Sequence, residues 1–304
     1  MNYFFKKFSI LFTACRGYSL PISFMSWLVP FLYAALSGGC RFSGLIALFG
    51  ILILHMASNI FDDAIDYTIA KKKIEKGIQK NFNFQQGKCI YIFSKELSLK
   101  QYYIISLSLF SIGLLIGLFF LLTIGAKLLY IIIPTAILCL LYPILGSFGL
   151  GEVIVATIFS PLLYSGVYLV MTGSYSQDIL ILSISTGCFV VAVLHNHMLM
   201  DYKLDEENRK ITLCRLCRNE ANALYLLGII IALAYINILI FVILGRLNIY
   251  YLIPFASIPF AIKLYKDMKN PSLEFVQKFL LPEKLLSLFT LLLCISIVVE
   301  KCIL

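Results

Sequence analysis

The chemistry open to this chain is set by a short stretch, His55 to Asp66, and by a pair of acids far downstream. Asn59, Asp62, Asp63 and Asp66 close a hydrophobic run that begins near Ser43, and at roughly 100° per residue on a helix they fall inside an arc of about 100°. They form one acidic face, not a ring. Asp201 and Asp205, spaced i,i+4, stand where another long apolar run ends. Two acidic helix ends point to one shared site. Carboxylate oxygens suit a hard cation, and Mg²⁺ takes one or two protein carboxylates while leaving its other positions to water and substrate phosphate. Asp62, Asp63, Asp66, Asp201 and Asp205 are the expected metal ligands. Arg16, Lys88, Arg209 and Lys210 are the cations nearest to them in sequence, and Asn59 and Asn196 are the nearby amides. These six are the expected substrate-binding residues. Acids for metal, cations for an anion and grease beneath them describe a diphosphate headgroup site above a long apolar tail.

The elements that must position these groups follow from composition. In 304 residues, 61% are hydrophobic and 13% charged, with a mean hydropathy of +0.93. Such a chain has too little polar surface to clothe a soluble globule. A hydrocarbon layer of ~30 Å takes about 20 apolar residues per helix, and the apolar runs are too long and unalternating for barrel strands. The expectation is an all-α polytopic membrane helix bundle of about nine transmembrane helices, forming one domain over residues 1–304. The nine runs are Pro21 to Gly38, Ser43 to Phe61, Tyr103 to Gly125, Leu128 to Gly146, Val153 to Thr172, Ile179 to Met200, Ala223 to Gly245, Ile249 to Ile262 and Leu285 to Val299.

Charge supplies an independent reading, because Lys and Arg accumulate on the cytoplasmic side. With the N-terminus inside, 21 of the 25 Lys and Arg residues fall on inner segments; Arg41, Lys127, Arg246 and Lys301 fall outside. Both acidic ends then open to the cytoplasm, in polar loops over about 62–102 and 201–221. The expected location is the cell (inner) membrane, multi-pass, with the N-terminus and site loops cytoplasmic. The net charge of +9 is topological, favours an anionic leaflet and implies no nucleic-acid partner. The Lys6, Lys7 and Ser9 to Cys15 segment is too short in its apolar core for a cleaved signal peptide.

The remaining reactive residues read more blandly. Nine cysteines, most in apolar runs, behave as small buried hydrophobes; Cys214 and Cys217 have C-x-x-C spacing but no second pair to complete a zinc site. His195 and His197 point to different helix faces. His55, one turn before Asn59, and His197, one turn before Asp201, are expected as hydrogen-bonded helix histidines, with contact to a substrate or tuning of an acid as the alternative. Lys71, Lys72 and Lys73 read as an inside anchor. Glu152 either lines a pocket mouth or complements a helix N-terminus.

Two acid clusters suit leaving-group chemistry. Breaking an allylic C–O bond to diphosphate builds negative charge on the departing oxygens, which a pair of metals stabilises more in the transition state than in the ground state. The carbocation left behind needs a dry pocket and aromatic faces.

Asp62 to Asp66 after Asn59, with the later Asp201-x-x-x-Asp205, resembles the two aspartate-rich motifs of the UbiA-type intramembrane prenyltransferase superfamily. Arg16-Gly17-Tyr18-Ser19-Leu20-Pro21-Ile22-Ser23 is similar to that family's approach to its first helix. Gly149-Leu150-Gly151-Glu152, Phe159-Ser160-Pro161-Leu162, Gly166-Val167-Tyr168 and Thr172-Gly173 resemble the fifth-helix region of 1,4-dihydroxy-2-naphthoate polyprenyltransferases. The resemblance covers about residues 15 to 215. It implies nine helices around a lipid-open central cavity and Mg²⁺-dependent transfer of a polyprenyl chain from its diphosphate to an aromatic acceptor, forming demethylmenaquinone in menaquinone biosynthesis. It also assigns catalysis to Asp63, Asp66, Asp201 and Asp205, with Asn59 beside them and Asp62 as an additional acid. The chain departs from the family pattern at Ile60, at Tyr67 where a last Asp is expected, at Met200 where the naphthoate enzymes have Arg, and in Gln86-Gly87-Lys88. Other acceptors, namely 4-hydroxybenzoate, homogentisate, a tetrapyrrole or a glycerol phosphate, fit the same chemistry. A cation-coupled transporter is the rival of a different class, although transporter sites lie near the midplane on broken helices and these acids lie at span ends.

Overall fold

Helix ends in this chain are written by local polar chemistry, and the spans between them by apolar length. The computed structural model describes residues 3–78, 88–207, 210–270 and 273–303; Arg209, Gln86 and Gly87 lie outside the described residues. The α-helices are α1 Tyr3–Ala14, α2 Leu20–Leu36, α3 Arg41–Glu75, α4 Ile90–Phe93, α5 Leu99–Ile124, α6 Leu129–Leu145 and α7 Gly151–Thr157. They continue with α8 Leu163–Thr172, α9 Gln177–Met200, α10 Tyr202–Glu207, α11 Leu213–Leu216, α12 Glu220–Ile243, α13 Ile258–Lys269 and α14 Phe275–Ile303. Among the described residues there is no strand, only an isolated bridge between Phe148 and Ile211.

Caps account for several boundaries. Ser98 and Gln101 form a reciprocal capping box at the start of α5, with the Gln101 side chain accepting from the Ser98 N–H at 2.7 Å. Ser176 caps α9 and Asn219 caps α12 through side-chain oxygens. Gly173 ends α8 in the left-handed region at φ 74°, where a side chain would strain the backbone.

Among the described residues, eight helical segments are long and apolar enough to cross a membrane. The run expected from Ile249 to Ile262 is built differently: a 3₁₀ helix, Ile249–Ser257, leads directly into α13. Pro254 lies inside the first and Pro259 at the start of the second, where a ring without an N–H cannot complete α-helical bonding. At ~2.0 Å rise per 3₁₀ residue and ~1.5 Å per α residue, the composite is roughly 36 Å long. It packs along α14. Tyr251 at its start donates to Glu300 near the end of α14 at 2.6 Å, and a short connection joins its far end to the start of α14, so the two run antiparallel.

The acidic residues from Asp62 onward are also not in a loop. α3 continues for 35 residues to Glu75, roughly 52 Å at 1.5 Å per residue, because nothing breaks it before Gly77, at φ 69°. Its last turns therefore stand clear of a ~30 Å hydrocarbon layer. The 201–221 segment is largely folded as well, into α10 and α11.

The main core surrounds α9, whose apolar window is the most buried of all the spans. Phe189 of α9 meets Phe289 of α14 at 4.4 Å and the Tyr235 ring of α12 edge-on at 5.6 Å, a favourable aromatic geometry. Against the other side of α9 packs a π-helical turn, Ile158–Leu162, with Pro161 inside it. Ser160 in this turn donates to the Ser183 carbonyl at 2.5 Å. Gly187 permits the approach, since a Cβ there would lie 2.6 Å from Ser160. A second apolar cluster joins α2, α3, α5 and α8 around Trp27, Phe120 and Leu169.

Contacts fix which ends coincide. Tyr33 near the end of α2 donates to Asp178 at the start of α9 at 2.9 Å, while the turn preceding α2 contacts Asp62. The Asp62 end of α3 and the Asp201 end of α9 are thus at one end of the bundle. We expect Gly187→Val to lower stability by about 1–3 kcal/mol through overpacking at the α9 crossing, read as a lower unfolding temperature in detergent, while Gly117→Ala, on α5 with only an ordinary contact 3.5 Å from the added Cβ, leaves the crossing intact.

Candidate active site

The turn between α1 and α2 delivers the first cation. Arg16 adopts a left-handed backbone at φ 51°, an uncommon conformation for a residue with a side chain. It is held there by its neighbours. Asn59 donates to the Cys15 carbonyl at 3.3 Å and to the Ser19 hydroxyl at 3.2 Å, and Ser19 donates back to the Arg16 carbonyl at 2.8 Å. His55 contacts Ser19 at 3.2 Å through Nε2 and Ser23 at 2.6 Å through Nδ1. Its ring is the hydrogen-bonded helix histidine expected, and Asn59 supports the turn from outside the cavity.

From that turn the Arg16 guanidinium donates to Asp62 at 3.3 Å and to Asp63. Lys88 approaches from the other side and pairs with Asp62 at 3.0 Å and with Asp66. Asp63 pairs with Arg16 alone of these two cations. It is buried, and its second oxygen accepts the Cys89 backbone N–H at 2.9 Å. Burial opposes both cations, yet Asp63 and Asp62 hold the Arg16 guanidinium above its usual range, and Asp62 and Asp66 do the same for Lys88.

The second group is less well neutralised. Asp201 ends α9, and its carbonyl accepts the Asp205 N–H at 2.8 Å. Asp205 is buried, its Oδ1 is 4.0 Å from Lys210 and its Oδ2 has no hydrogen-bond partner. Burial and then the neighbouring Asp205 push Asp201 up to about 6; burial also raises Asp205.

Arg16, Asp62, Asp66, Lys88 and Lys210 line a cavity of about 110 Å³, whereas Asp63, Asp201 and Asp205 are not among its lining residues. Lys210, which reaches Asp205, ties the second acidic group to the same space. Asp62 and Asp66 are one turn apart and face it together. Tyr142 of α6 and His197 of α9 also line it, and neither stood out as a site residue in the sequence. The spacing of four before Asp201 is a signal for His197; nothing distinguishes Tyr142 among 18 tyrosines. His197 stacks flat on Phe279 at 3.8 Å, and its Nε2 is buried without a partner. Asn196 faces elsewhere, donating to the Lys278 carbonyl of α14 at 3.2 Å. Glu152 lies in the first turn of α7 and is buried, away from any open pocket mouth.

The model of the UbiA prenyltransferase family matches residues 19–293. The chain belongs to the UbiA prenyltransferase family. It is accordingly a prenyltransferase, and the polytopic bundle is the UbiA fold. A UbiA homologue from Aeropyrum pernix K1 is similar over 92% of this chain and 98% of its own, at 14% identity and a TM-score of 0.67. A UbiA homologue from Archaeoglobus fulgidus bound to GPP and Mg²⁺ is similar over 94% and 99%, at 11% identity and 0.65. The structure of a digeranylgeranylglyceryl phosphate synthase is similar over 98% and 100%, at 17% and 0.65. No curated protein matches by sequence. Within this UbiA chain the acids divide by partner: Asp62 and Asp66 face the cavity, and Asp63 braces the two segments that carry Arg16 and Cys89. Asp63→Ala should therefore lower stability by about 3 kcal/mol, because it strands a largely buried charge. Asp66→Ala, at a more exposed carboxylate, should cost clearly less. Unfolding of both variants in mixed micelles checks the order.

Proposed function

We propose that this prenyltransferase moves a polyprenyl chain from polyprenyl diphosphate to an aromatic acceptor, 1,4-dihydroxy-2-naphthoate, in menaquinone biosynthesis. The observation that carries the site assignment is one polar cavity at one end of the bundle, lined by Asp62, Asp66 and Lys88 and by Lys210, which links Asp205 to it. The acceptor assignment rests on the Gly149 to Glu152 and Phe159 to Leu162 resemblance. The whole chain, 1–304, acts as a single domain, and the Lys and Arg bias puts its N-terminus and cavity on the cytoplasmic side of the cell membrane.

The donor set suits Mg²⁺. Among the described residues Asp62, Asp63, Asp66 and Asp205 pair with three cations, Arg16, Lys88 and Lys210, Asp201 makes no ion pair, and Asp205 Oδ2 is buried without a partner. Hard oxygen donors in excess of local positive charge fit that ion. When bound, it supplies positive charge against the departing diphosphate. Arg16, Lys88 and Lys210 face the phosphate oxygens and add charge-assisted hydrogen bonds. The apolar bundle receives the prenyl tail and excludes water from the allylic carbon. The electron-rich ring carbon of the acceptor attacks that carbon as the C–O bond breaks and diphosphate leaves; loss of the acceptor's carboxylate as CO₂ restores the aromatic ring.

Asp201→Asn should lower turnover by about 100-fold or more in a membrane-inserted, folded chain. Undiminished turnover would remove Asp201 from the site. Supplying the purified protein with one labelled prenyl diphosphate and a panel of acceptors, followed by mass spectrometry of products, tests the acceptor. Prenylated, decarboxylated naphthoate is expected. Product from 4-hydroxybenzoate or a glycerol phosphate alone would reassign the acceptor, and cation flux without product would favour transport.

A further inference from the structure

Beneath the loop that carries Lys210 lies a second cluster of metal-ligating side chains that the prenyl-transfer chemistry does not use. Glu152 of α7, His195 of α9 and Cys214 of α11 are 2%, 0% and 0% exposed, and their ligand atoms all lie within 4.8 Å of one another. Both Glu152 oxygens are buried without a hydrogen-bond partner. Leaving a carboxylate like this unmet is costly in a packed interior.

The histidine is set up as a ligand. Its Nε2 lies 2.9 Å from the Ala223 carbonyl, and since a carbonyl only accepts, that nitrogen carries the proton. In the neutral ring Nδ1 then has the lone pair and faces the Glu152 Oε1 at 3.6 Å, while the Cys214 Sγ lies beside the ring, 3.5 Å from Nδ1 and 3.6 Å from Nε2, and has to turn toward Nδ1 to share a metal with it. A backbone carbonyl that fixes the tautomer while the other nitrogen binds is the usual support for a metal-bound histidine. Two of the three separations also fit, and the third, between Glu152 and Cys214, is within 4.8 Å. Bonds of ~2.0–2.3 Å to N, O and S place tetrahedral ligand atoms roughly 3.3–3.7 Å apart. As a neutral thiol, Cys214 donates to the His195 carbonyl at 3.4 Å; as a thiolate it gives up that bond and becomes a ligand, releasing its proton on binding.

We propose that Glu152, His195 and Cys214 bind a Zn²⁺-class transition metal, with water in the fourth position. One nitrogen, one sulfur and one carboxylate oxygen form a borderline-soft set that selects against Mg²⁺. Cys217, despite the C-x-x-C spacing, is outside the group: its thiol donates to the Leu213 carbonyl at 3.3 Å. The metal joins α7, α9 and the segment after Lys210, so it fastens the loop that borders the aspartate cavity without touching the diphosphate.

The test uses the full chain without a polyhistidine tag, loaded with zinc in excess Mg²⁺ so that the aspartates are occupied, then freed of unbound metal. About one zinc per chain is expected in the unaltered protein and in Cys217→Ser, and less than about a tenth in Cys214→Ser and Glu152→Gln. Because a buried variant can misfold, two readouts use the unaltered chain. Zinc should protect Cys214, mapped by mass spectrometry, from maleimide in mild detergent. Cobalt in its place should give a thiolate-to-cobalt charge-transfer band. Failure of the unaltered chain to retain zinc, full retention by Cys214→Ser, or loss in Cys217→Ser would each overturn the assignment.

Discussion

Carboxylates held close to an apolar interior need opposite charge, and much of this molecule is shaped by that constraint. Asp62 and Asp63 are buried at the end of a hydrophobic helix, where an unpaired ion carries a penalty of several kcal/mol. Arg16 and Lys88 meet that need from two connecting segments. Both contacts impose backbone conformations that are otherwise uncommon, with positive φ at Arg16 and at Cys89, next to Lys88. The serine, asparagine and histidine contacts around Arg16 are consequences of holding such a turn. They account for the serine, histidine and asparagine side chains at this end of the first two spans.

The second acidic group obeys the same constraint with fewer local cations. Lys210 is at 4.0 Å from Asp205, and Asp201 is held well above the ordinary carboxylate range by burial and by Asp205. A site in which one half is internally compensated and the other is not has a net appetite for positive charge. The asymmetry also separates two duties among residues of one type: Asp63 joins segments, while Asp62 and Asp66 look into the cavity.

Much of this was legible in residue order. Apolar run length located the spans, and the two acidic ends stood out because charge is rare in the chain. The boundary of α3 was misjudged because its polar composition after Asp62 reads like a loop, whereas helix formation depends on the absence of a breaker, and none comes before Gly77. Pro254 and Pro259, which blur the ends of the Ile249 run in the sequence, divide its hydrogen-bonding pattern in the fold. Asn59 and Asn196 have the right chemistry for a ligand, yet their partners are backbone carbonyls and a hydroxyl supplied by packing, which no spacing rule reveals. Tyr142, and the meeting of Glu152 with His195 and Cys214, depend on helices brought together from distant parts of the chain.

α3 has one further consequence. It contains no proline and is pinned near its beginning, where the Gly44 carbonyl accepts from the Trp27 indole at 2.9 Å and the helix approaches Phe31 and Met171. A long helix answers hydrophobic mismatch chiefly by changing its tilt, and tilt about a fixed point moves the far end most. The far end here carries Asp62 and Asp66. Bilayer thickness thereby acts on the acidic cavity through the contacts that join Asn59, Asp62 and Asp63 to the turn before α2.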